Sequence, residues 1–452
     1  MLEGLEVSEV NISLINREKR INSEYFLKEY ITEDNYLAKH NVVSIGEYAF
    51  ITDGQHGYHE IDNNSNIHLL TAKNAKNWFA NLDGADPLAQ WVDDYNRRSS
   101  LQNNDIILST RGSIGYAAIV KADVLPANID QDVARINIIK QNELIPEFTI
   151  TYLNSKYGQN WMFRNQTGMV QQGLSLEKVR EMPIPLLPIG FQQNVAKIVQ
   201  KSYVCFNESN NRYLEAEKSL LKELGLLDWQ PNNDNTSIKH FIDFLSSGRL
   251  DAEYYQPKYD EIETNVRDYK NGYKQVKDYF VQNKDVSDFS RPEYYYIEIG
   301  DVNINNGMAE FNLLPTEDLP DNAKRVLCKN DLLVSKVRPY RGAVTIVNEE
   351  YDNLIGSGAF TVLREKGLYK KEVLQVLLRT PLYKEWLCKW SVGSSYPVIK
   401  DEDVLNLPIP NIPEKTQQAI ADYVQKSVSL RQQAKQLLED AKHMVEQEIG
   451  KK

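Results

Sequence analysis

The chain lacks the short motifs that mark most catalytic and nucleotide-binding sites. Its 452 residues contain no Gly-x-x-x-x-Gly-Lys-Ser/Thr loop, no Gly-x-Gly-x-x-Gly fingerprint and no Asn/Asp-Pro-Pro-Tyr/Phe tetrapeptide. Cys-x-x-Cys, His-Glu-x-x-His and Gly-x-Ser-x-Gly motifs are also missing. These absences argue against nucleotide binding, adenine methylation, zinc chemistry and serine hydrolysis. We therefore predict that the chain is not an enzyme and holds no cofactor or metal of its own.

Long apolar runs and clustered cysteines are also missing. No run of about 18 apolar residues is present, so no transmembrane segment and no membrane partner are predicted. The first residues include Glu3, Glu6 and Glu9, which exclude a basic signal-peptide start. The chain has only 3 cysteines, widely scattered. Reduced thiols of a cytoplasmic protein explain them best.

The charge balance is acidic, which at first sight disfavours a nucleic-acid partner. The chain has 52 Lys and Arg against 63 Asp and Glu, a net charge of −11. Phosphate binding needs clustered cations. Net charge is nevertheless a sum over the whole chain, so a basic cleft can stand on an acidic protein.

Two parts of the chain repeat, and this is its most informative feature. Ser-Glu-Tyr-Phe beginning at Ser23 returns as Ala-Glu-Tyr-Tyr beginning at Ala252. Pro-Ile-Pro beginning at Pro183 returns at Pro408, and each copy is followed by Pro and Gln-Gln. Two matches at nearly one spacing indicate a tandem duplication. Such a molecule suits a target that also has two halves.

Each half divides into an irregular, strand-rich first part and a helical last part. Short β-like runs alternate with Asn/Asp/Gly clusters, and short helices are predicted around 146–164 and 369–390. This mixture predicts an α+β fold with a small, partly irregular sheet in each half. The predicted boundaries are 1–185, 186–228, 229–410 and 411–452.

The helical parts carry heptad patterns of apolar and small residues. Such series are the a and d positions of a coiled coil, and small residues allow two helices to approach closely. Equivalent helices can pair antiparallel about a pseudo-twofold axis. The alternative is two unrelated amphipathic surface helices. The C-terminal series are Ile420, Ser427, Ala434 and Ala441, with Tyr423, Leu430, Leu437 and Met444. The central series are Val195, Ser202, Ser209 and Ala216, with Val199, Phe206, Tyr213 and Leu220.

Polar loops of the first half are candidate DNA-binding residues. Residues 109–115 follow a strand-like run and combine a guanidinium and hydroxyls with flexible glycines, which suits phosphate oxygens and guanine edges. Residues 171–172 are two glutamines, which suit adenine. His56 and His59 could bind a metal, but no third ligand is in view and the repeat lacks both, so polar readout is favoured. The candidates are His56, Ser109, Thr110, Arg111, Ser113, Gln171 and Gln172.

The matching loops of the second half have the same spacing as those of the first half, but their polar residues are different. Residues 335–342 carry three cations, and residues 393–400 align with residues 168–175 at the spacing of the Pro-Ile-Pro repeat. Loops with the same spacing but different polar residues are expected if the two halves bind different DNA sequences. A solvated turn is the alternative interpretation. The candidates are Lys336, Arg338, Tyr340, Arg341, Ser394, Ser395, Tyr396 and Lys400.

The order, duplication and spacing of these elements resemble the specificity (S) subunit of Type I restriction-modification systems. The resemblance covers essentially the whole chain. It rests on residues 51–56, 70–74, 109–115 and 171–175, and on the Pro-Ile-Pro…Pro…Gln-Gln segment before each long helix. The second half departs from the pattern, because it has no counterpart of the Thr-Asp-Gly-x-His segment.

The resemblance implies two target-recognition domains, 1–185 and 229–410, each reading one half of a bipartite duplex-DNA sequence. The helical regions 186–228 and 411–452 would pair as an antiparallel coiled coil that sets the spacer. Implied partners are two modification subunits, which bring S-adenosylmethionine, and restriction subunits, which use ATP and Mg²⁺. The main alternative is a tandem-domain interaction scaffold without DNA readout. Such a scaffold would tolerate alanine at the loop cations.

Overall fold

The computed structural model of the chain describes residues 7–13, 15, 20–168, 173–230, 234, 236–393 and 396–451. The chain divides into two compact units, Met1–Phe206 with Gln432–Lys452, and Asn207–Arg431. Each unit combines small sheets with helices, so the chain has the mixed α+β structure that the sequence predicts. Among the described residues, no helix has a stretch long and apolar enough to cross a membrane.

The first unit is built on a five-stranded sheet in the order β2-β9-β6-β7-β4, a three-stranded sheet in the order β5-β3-β8, and the pair β1-β10. These strands are β1 Val42–Ser44, β2 Ala49–Asp53, β3 His68–Leu70, β4 Trp78–Phe79, β5 Asp86–Pro87, β6 Ile106–Ser109, β7 Ala117–Ile119, β8 Ala127–Ile129, β9 Val133–Ile138 and β10 Pro183–Pro185. The shorter helices are Lys28–Leu37, Gln90–Tyr95, Pro146–Leu153, Lys156–Asn165 and Leu176–Glu181.

The five-stranded sheet is buried on both faces, which strand β6 shows most directly. Its residues Ile106 and Leu108 pack into the larger core with the helices, while Ile107 packs into a second core with β3 and β8. Successive side chains of a strand point to opposite faces. A strand that is apolar at every position is therefore the expected sequence for a sheet covered on both sides.

The second unit repeats this plan with a sheet in the order β12-β19-β16-β17, another in the order β14-β13-β18-β15, and the pair β11-β20. The strands are β11 Tyr273–Gln275, β12 Phe280–Gln282, β13 Glu293–Ile297, β14 Asn312–Pro315, β15 Ala323–Val326, β16 Leu332–Ser335, β17 Val344–Ile346, β18 Leu354–Ser357, β19 Phe360–Glu365 and β20 Pro408–Pro410. The shorter helices are Phe241–Ser247, Pro257–Arg267, Val276–Tyr279, Lys371–Arg379, Pro381–Cys388 and Asp401–Leu405. The short helices predicted around 146–164 and 369–390 are confirmed.

The repeated Pro-Ile-Pro…Gln-Gln segment has a structural explanation in each unit. Buried Gln192 accepts a hydrogen bond from the backbone N–H of Ile145 at 2.9 Å and donates to the carbonyl of Leu187 at 2.8 Å. In the second unit, Gln417 accepts from the N–H of Lys370 at 2.9 Å and donates to Ile412 at 2.9 Å. One glutamine therefore ties the start of each long helix to the start of a shorter one.

The two long helices are Ile189–Leu224 and Glu414–Gly450, which fall inside the predicted ranges 186–228 and 411–452. In the second unit, Thr416 contacts Glu223 at 3.1 Å, and Ser427 contacts Ser209 at 2.8 Å. As the residue number rises on one helix it falls on the other, so these segments run antiparallel.

The first unit contains its own contact between the long helices. The hydroxyl of Ser202 donates to the carbonyl of Ala434 at 2.9 Å, and both residues are buried. The small residues predicted at these positions therefore bring helix backbone within reach of a serine side chain. The four-part division of the chain stays a prediction.

The second heptad series of the C-terminal helix was mostly predicted one position too early. The first series is buried throughout, as predicted. In the second, Tyr423, Leu437 and Met444 are half-buried, while each following residue is buried. Apolar residues stand at both positions of each pair, so periodicity does not decide between them. The buried residues that replace them are Val424, Leu438 and Val445.

Candidate nucleic-acid interface

In the first unit, the predicted binding loops meet at one end of the five-stranded sheet. Strand β2 ends at Asp53 opposite Ala134, and β6 ends at Ser109 opposite Val133. Both strands pair antiparallel with β9, so their last residues flank its first residues. Loops 54–60 and 110–116 therefore emerge side by side, with the turn 130–132 between them.

Loop 110–116 is held by its own hydroxyls and presents Arg111. Buried Ser109 donates to the carbonyl of Ser113 at 2.6 Å, and Thr110 donates to the carbonyl of Asp132 at 3.0 Å. The hydroxyls of Ser109 and Thr110 thus shape the loop and do not face outward. Ser113 is exposed, and the exposed side chain of Arg111 lies 3.6 Å from the carboxylate of Asp132. Gly112, between them, has a φ of 70°, which a glycine adopts without steric cost.

The segment before the Pro-Ile-Pro strand lies beside this loop. Arg111 forms an isolated antiparallel bridge with Gly173, and the N–H of Leu174 donates to the carbonyl of Thr110 at 2.8 Å. The predicted readers Gln171 and Gln172 lie outside the described residues. Gly173, which the structure describes, lies at the same end of the sheet as Arg111.

Loop 54–60 carries His56 and is anchored to the 130–132 turn. His56 Nε2 lies 2.9 Å from Asp53 Oδ2, and its side chain is 55% exposed. Gly54 donates to the carbonyl of Asp130 at 3.2 Å. A Cβ on Gly54 would lie 1.7 Å from the carbonyl oxygen of Ile129, so only glycine fits this close approach. Desolvation raises the pKa of Asp130 to about 6.

In the second unit, the predicted cations occupy the equivalent sheet end but differ in exposure. Lys336, directly after β16, lies 3.1 Å from Asp401, and its side chain is only 16% exposed. Burial alone would raise the pKa of Asp401, but hydrogen bonds from Thr361 and Lys336 hold it below its usual value. Lys336 is therefore occupied in an internal ion pair.

Half-buried Arg338 and exposed Tyr396 form the centre of the second site. The guanidinium carbon of Arg338 lies 4.2 Å from the ring centroid of Tyr396, whose side chain is 64% exposed. Arg338 donates its backbone N–H to the carbonyl of Pro397 at 2.8 Å. A cation held over an aromatic ring is oriented without being neutralised, so Arg338 keeps its positive charge at this end of the sheet.

The remaining predicted residues of the second half surround this pair. Tyr340 and Arg341 are exposed on the following 3₁₀ turn, Pro339–Arg341. Lys400 is exposed, and its backbone N–H donates to Asp403 at 2.7 Å at the start of helix Asp401–Leu405. Ser394 and Ser395 lie outside the described residues.

The two sites share one construction. In the first unit, Gly173 bridges both Arg111 and Thr167. In the second, Val398 bridges both Val337 and Val392. Each bridge of the second unit follows its counterpart at the spacing of the Pro-Ile-Pro repeat, to within a single position. Both units thus join the loop after a central strand to the segment before the Pro-Ile-Pro strand.

Sequence patterns missed part of the first site. Asn96 donates to Gln55 at 2.6 Å, and Arg98 lies 3.3 Å from Asp53, so the end of helix Gln90–Tyr95 joins the loop of His56. The signal available in the sequence was the pair Arg97-Arg98, which stands in an otherwise acidic and polar stretch. Within the described residues, no group of three or more His, Cys, Asp or Glu side chains could hold a metal ion.

Comparisons with known proteins identify the segment that carries much of the first site. Residues 60–217 match the family described as Type I restriction modification DNA specificity domain. This segment is therefore similar to a Type I DNA specificity domain. The matched residues include loop 110–116 and most of the first long helix, and they begin just after His56. The resemblance predicted from the sequence is confirmed.

Curated relatives agree with this match. The Type I restriction enzyme HindI specificity subunit of Haemophilus influenzae is 32% identical over 156 residues, covering 33% of this chain and 33% of the relative. The EcoBI specificity subunit of Escherichia coli is 25% identical over 137 residues, covering 30% and 28%. The matches thus span about a third of these relatives. A Type-I restriction-modification S subunit from M. genitalium, of known crystal structure, is 12% identical over 90% of this chain and 92% of that chain, with a TM-score of 0.41.

Proposed function

We propose that this chain is the sequence-specific DNA-binding subunit of a Type I restriction-modification complex. Each unit would read one half of a bipartite target, the first through the Arg111 and His56 loops and the second through Arg338 and its neighbours. The observation that carries the proposal is the construction repeated in both units, with exposed Arg111 and half-buried Arg338 at equivalent sheet ends. Arginine at a groove edge suits both phosphates and guanine.

The long helices would set the spacer between the two half-sites. Serine-to-backbone contacts at Ser202 in one unit and at Ser209 and Ser427 in the other support a close antiparallel pair, which we propose is a coiled coil over the length of both helices. A helix of 36 residues measures about 54 Å at about 1.5 Å per residue. That length corresponds to about 16 base pairs at about 3.4 Å per step.

Catalysis would belong to partner subunits. Two modification subunits would bring S-adenosylmethionine and methylate adenine, and restriction subunits would use ATP and Mg²⁺. The acidic sum of −11 is compatible with this assignment, because a complex can draw much of its DNA affinity from its other subunits.

Methylation-aware sequencing tests the proposal. Cells that carry the neighbouring modification gene, with and without this chain, should differ by one N6-methyladenine motif with two short halves and a fixed gap. Arg111→Ala should weaken methylation or relax specificity at one half only, and Arg338→Ala at the other half only.

Lys140→Ala and Lys366→Ala are the matched controls. Both lysines are exposed cations just beyond the far ends of β9 and β19, away from the loops. Neither change should alter the motif. If no motif depends on this chain while the modification subunit is expressed and bound, the proposed function is wrong.

A further inference from the structure

A short helix of the first unit lies against the loop of His56, and the helix and loop together carry three exposed aromatic side chains. The aromatic face consists of Tyr58, Trp91 and Tyr95, whose side chains are 83%, 54% and 83% exposed. Of helix Gln90–Tyr95, only Val92 is buried. Large aromatic side chains that stay in water are typical of interaction surfaces, because one part of the ring system is apolar and the other can hydrogen-bond.

The aromatic face is fixed to the loop rather than free to swing. Trp91 donates its ring N–H to Glu60 at 3.1 Å, and Gln55 donates to the carbonyl of Tyr58 at 3.1 Å. Asn96, at the end of the helix, donates to Gln55 at 2.6 Å. These bonds make the aromatic face continuous with the loop that carries the proposed reader His56.

Exposed cations border the aromatic face. The side chains of Arg97 and Arg98 are 78% and 55% exposed. Each faces one carboxylate, Asp94 at 2.8 Å and Asp53 at 3.3 Å respectively. A guanidinium has five N–H donors, so each arginine keeps donors for a phosphate.

Asp93, Asp94 and Glu60, on and beside the helix, are engaged by the protein. Asp93 turns inward and accepts hydrogen bonds from Asn128 at 2.8 Å and Ser100 at 2.6 Å. Asp94 also accepts from Gln90 at 3.4 Å, and Glu60 holds Trp91 as described above. The acids therefore organise the surface, while the arginine and tyrosine donors point to an anionic ligand.

The position of the aromatic face relates it to DNA beside the half-site. Loops 110–116 and 54–60 follow strands that are two places apart in the sheet, about 10 Å at about 4.8 Å per strand. The end of helix Gln90–Tyr95 adjoins loop 54–60, because Asn96 donates to Gln55 and Arg98 lies 3.3 Å from Asp53. The aromatic face therefore borders the loops through which the first unit would read its half-site.

The second unit has no matching feature at the equivalent place. There β14 is followed by a 3₁₀ turn, Thr316–Asp318, in which Glu317 and Asp318 are exposed. Acidic side chains at this position would repel a phosphate backbone. The surface is thus a property of the first unit, and its effect should be confined to one side of the target.

We propose that the aromatic face, with Arg97, grips the sugar-phosphate backbone of duplex DNA next to the half-site read by the first unit, without reading bases. Tyrosine hydroxyls and the guanidinium donate to phosphate oxygens, and the rings pack on the deoxyribose edge. This inference rests on the proposed function, because it presumes that the first unit binds DNA.

The test measures DNA binding by the full chain assembled with its modification subunits. The probe is a duplex that contains the methylated motif, with flanks of different lengths on either side. Tyr95→Ala combined with Trp91→Ala should weaken binding about tenfold, as expected for loss of a charge-assisted hydrogen bond. Arg97→Ala should reduce the slope of log affinity against log salt by about 0.9, as expected for one lost phosphate contact.

Flank length and motif provide the decisive readouts. Shortening the flank beside the first half-site should weaken wild-type binding but not that of the aromatic double variant. Shortening the other flank should affect both equally, and the methylated motif should not change. Phe241→Ala, which removes an exposed aromatic ring from the second unit, is the matched control and should leave binding unchanged.

Three results would overturn the inference. An altered base in the first half-site would mean that the face reads sequence. Unchanged affinity and salt slope in the variants would mean that it does not touch DNA. Loss of assembly with the modification subunit would mean that the face binds protein. A wild-type complex that binds no specific DNA would instead refute the proposed function, and this inference with it.

Discussion

Removing the buried carboxylate of Asp105 should destabilise the first unit more than the equivalent change at Asp331 destabilises the second. Asp105 is fully buried and accepts hydrogen bonds from Arg135 at 2.6 Å, from Asn137 at 2.6 Å and from the backbone N–H of Gln102 at 2.7 Å. The side chain of Arg135 is only 7% exposed. Asp105→Ala would therefore leave a buried guanidinium without its counter-ion.

Asp331 has the same role with a more exposed partner. It accepts from Arg364 at 2.8 Å and from the N–H of Cys328 at 2.9 Å. The side chain of Arg364 is 40% exposed. Water can hydrate this guanidinium after the carboxylate is removed, so Asp331→Ala mainly loses hydrogen bonds.

The difference in exposure sets the expected magnitudes. Removing one partner of a buried ion pair costs about 3–5 kcal/mol, because the remaining charge stays desolvated. Losing hydrogen bonds around an exposed charge costs about 1–2 kcal/mol. Asp105→Ala should therefore exceed Asp331→Ala by about 2 kcal/mol, or about 30-fold in the opening equilibrium.

Hydrogen exchange measured by mass spectrometry distinguishes the two units, because peptides from β6 and β16 report opening of each sheet separately. As a control, Asp105→Ala combined with Arg135→Met should recover part of the loss, since it removes the unpaired charge as well. Equal losses in the two units, or no recovery in the double variant, would refute the reasoning from desolvation.

Three further predictions concern single positions. Gly54→Ala should speed amide hydrogen exchange in loop 54–60, because the added Cβ would clash with the carbonyl of Ile129. The free energy of opening this loop should fall by about 1–3 kcal/mol. Gly190→Ala is the control, since nothing lies within 4 Å of its added Cβ, and it should leave the exchange of that loop unchanged. Ser427→Leu should lower the thermal unfolding midpoint of the second unit more than Ser427→Ala does, because Ser427 is buried where the two long helices approach closely. A larger decrease in the midpoint for Ser427→Ala would contradict that close contact. The pKa of Asp130 is raised to about 6 by burial, so its ionisation opposes folding, and stability should increase as the pH falls from about 6 toward about 4. Urea unfolding at several pH values should show this slope, and Asp130→Asn should remove it.

Several features of the interface could be predicted because they depend on residue type and order alone. Arg111 and Arg338 stand within a few residues of the ends of strand-like runs, where polar residues leave the sheet. The α+β class and the short helices follow in the same way from local periodicity and from turn residues. The internal repeat held further information. The spacing that carries Pro183 to Pro408 also carries Val199 to Val424, Tyr213 to Leu438 and Leu220 to Val445, so strict use of the repeat would have placed these three positions of the second heptad series correctly.

Other features depend on contacts between distant parts of the chain. The sequence of residues 109–113 offers three hydroxyls, but only the packing of the turn against Asp132 decides that Ser109 and Thr110 face inward. Likewise, the sequence alone predicts that Lys336 is a free cation, but in the structure its side chain lies 3.1 Å from Asp401. No local pattern contains this information for Thr110 and Lys336, because their partners Asp132 and Asp401 are far away along the chain.

The sequence by itself determined the duplication, the strand-rich and helical division of each half, and the residue types available at each loop. It could do so because repeats and periodicity are properties of chain order. Only the tertiary structure decided which of those side chains share a surface. The antiparallel pairing of β2 and β6 with β9 places two separate loops at one sheet end, and the bond from Asn96 to Gln55 adds a helix that no motif had marked.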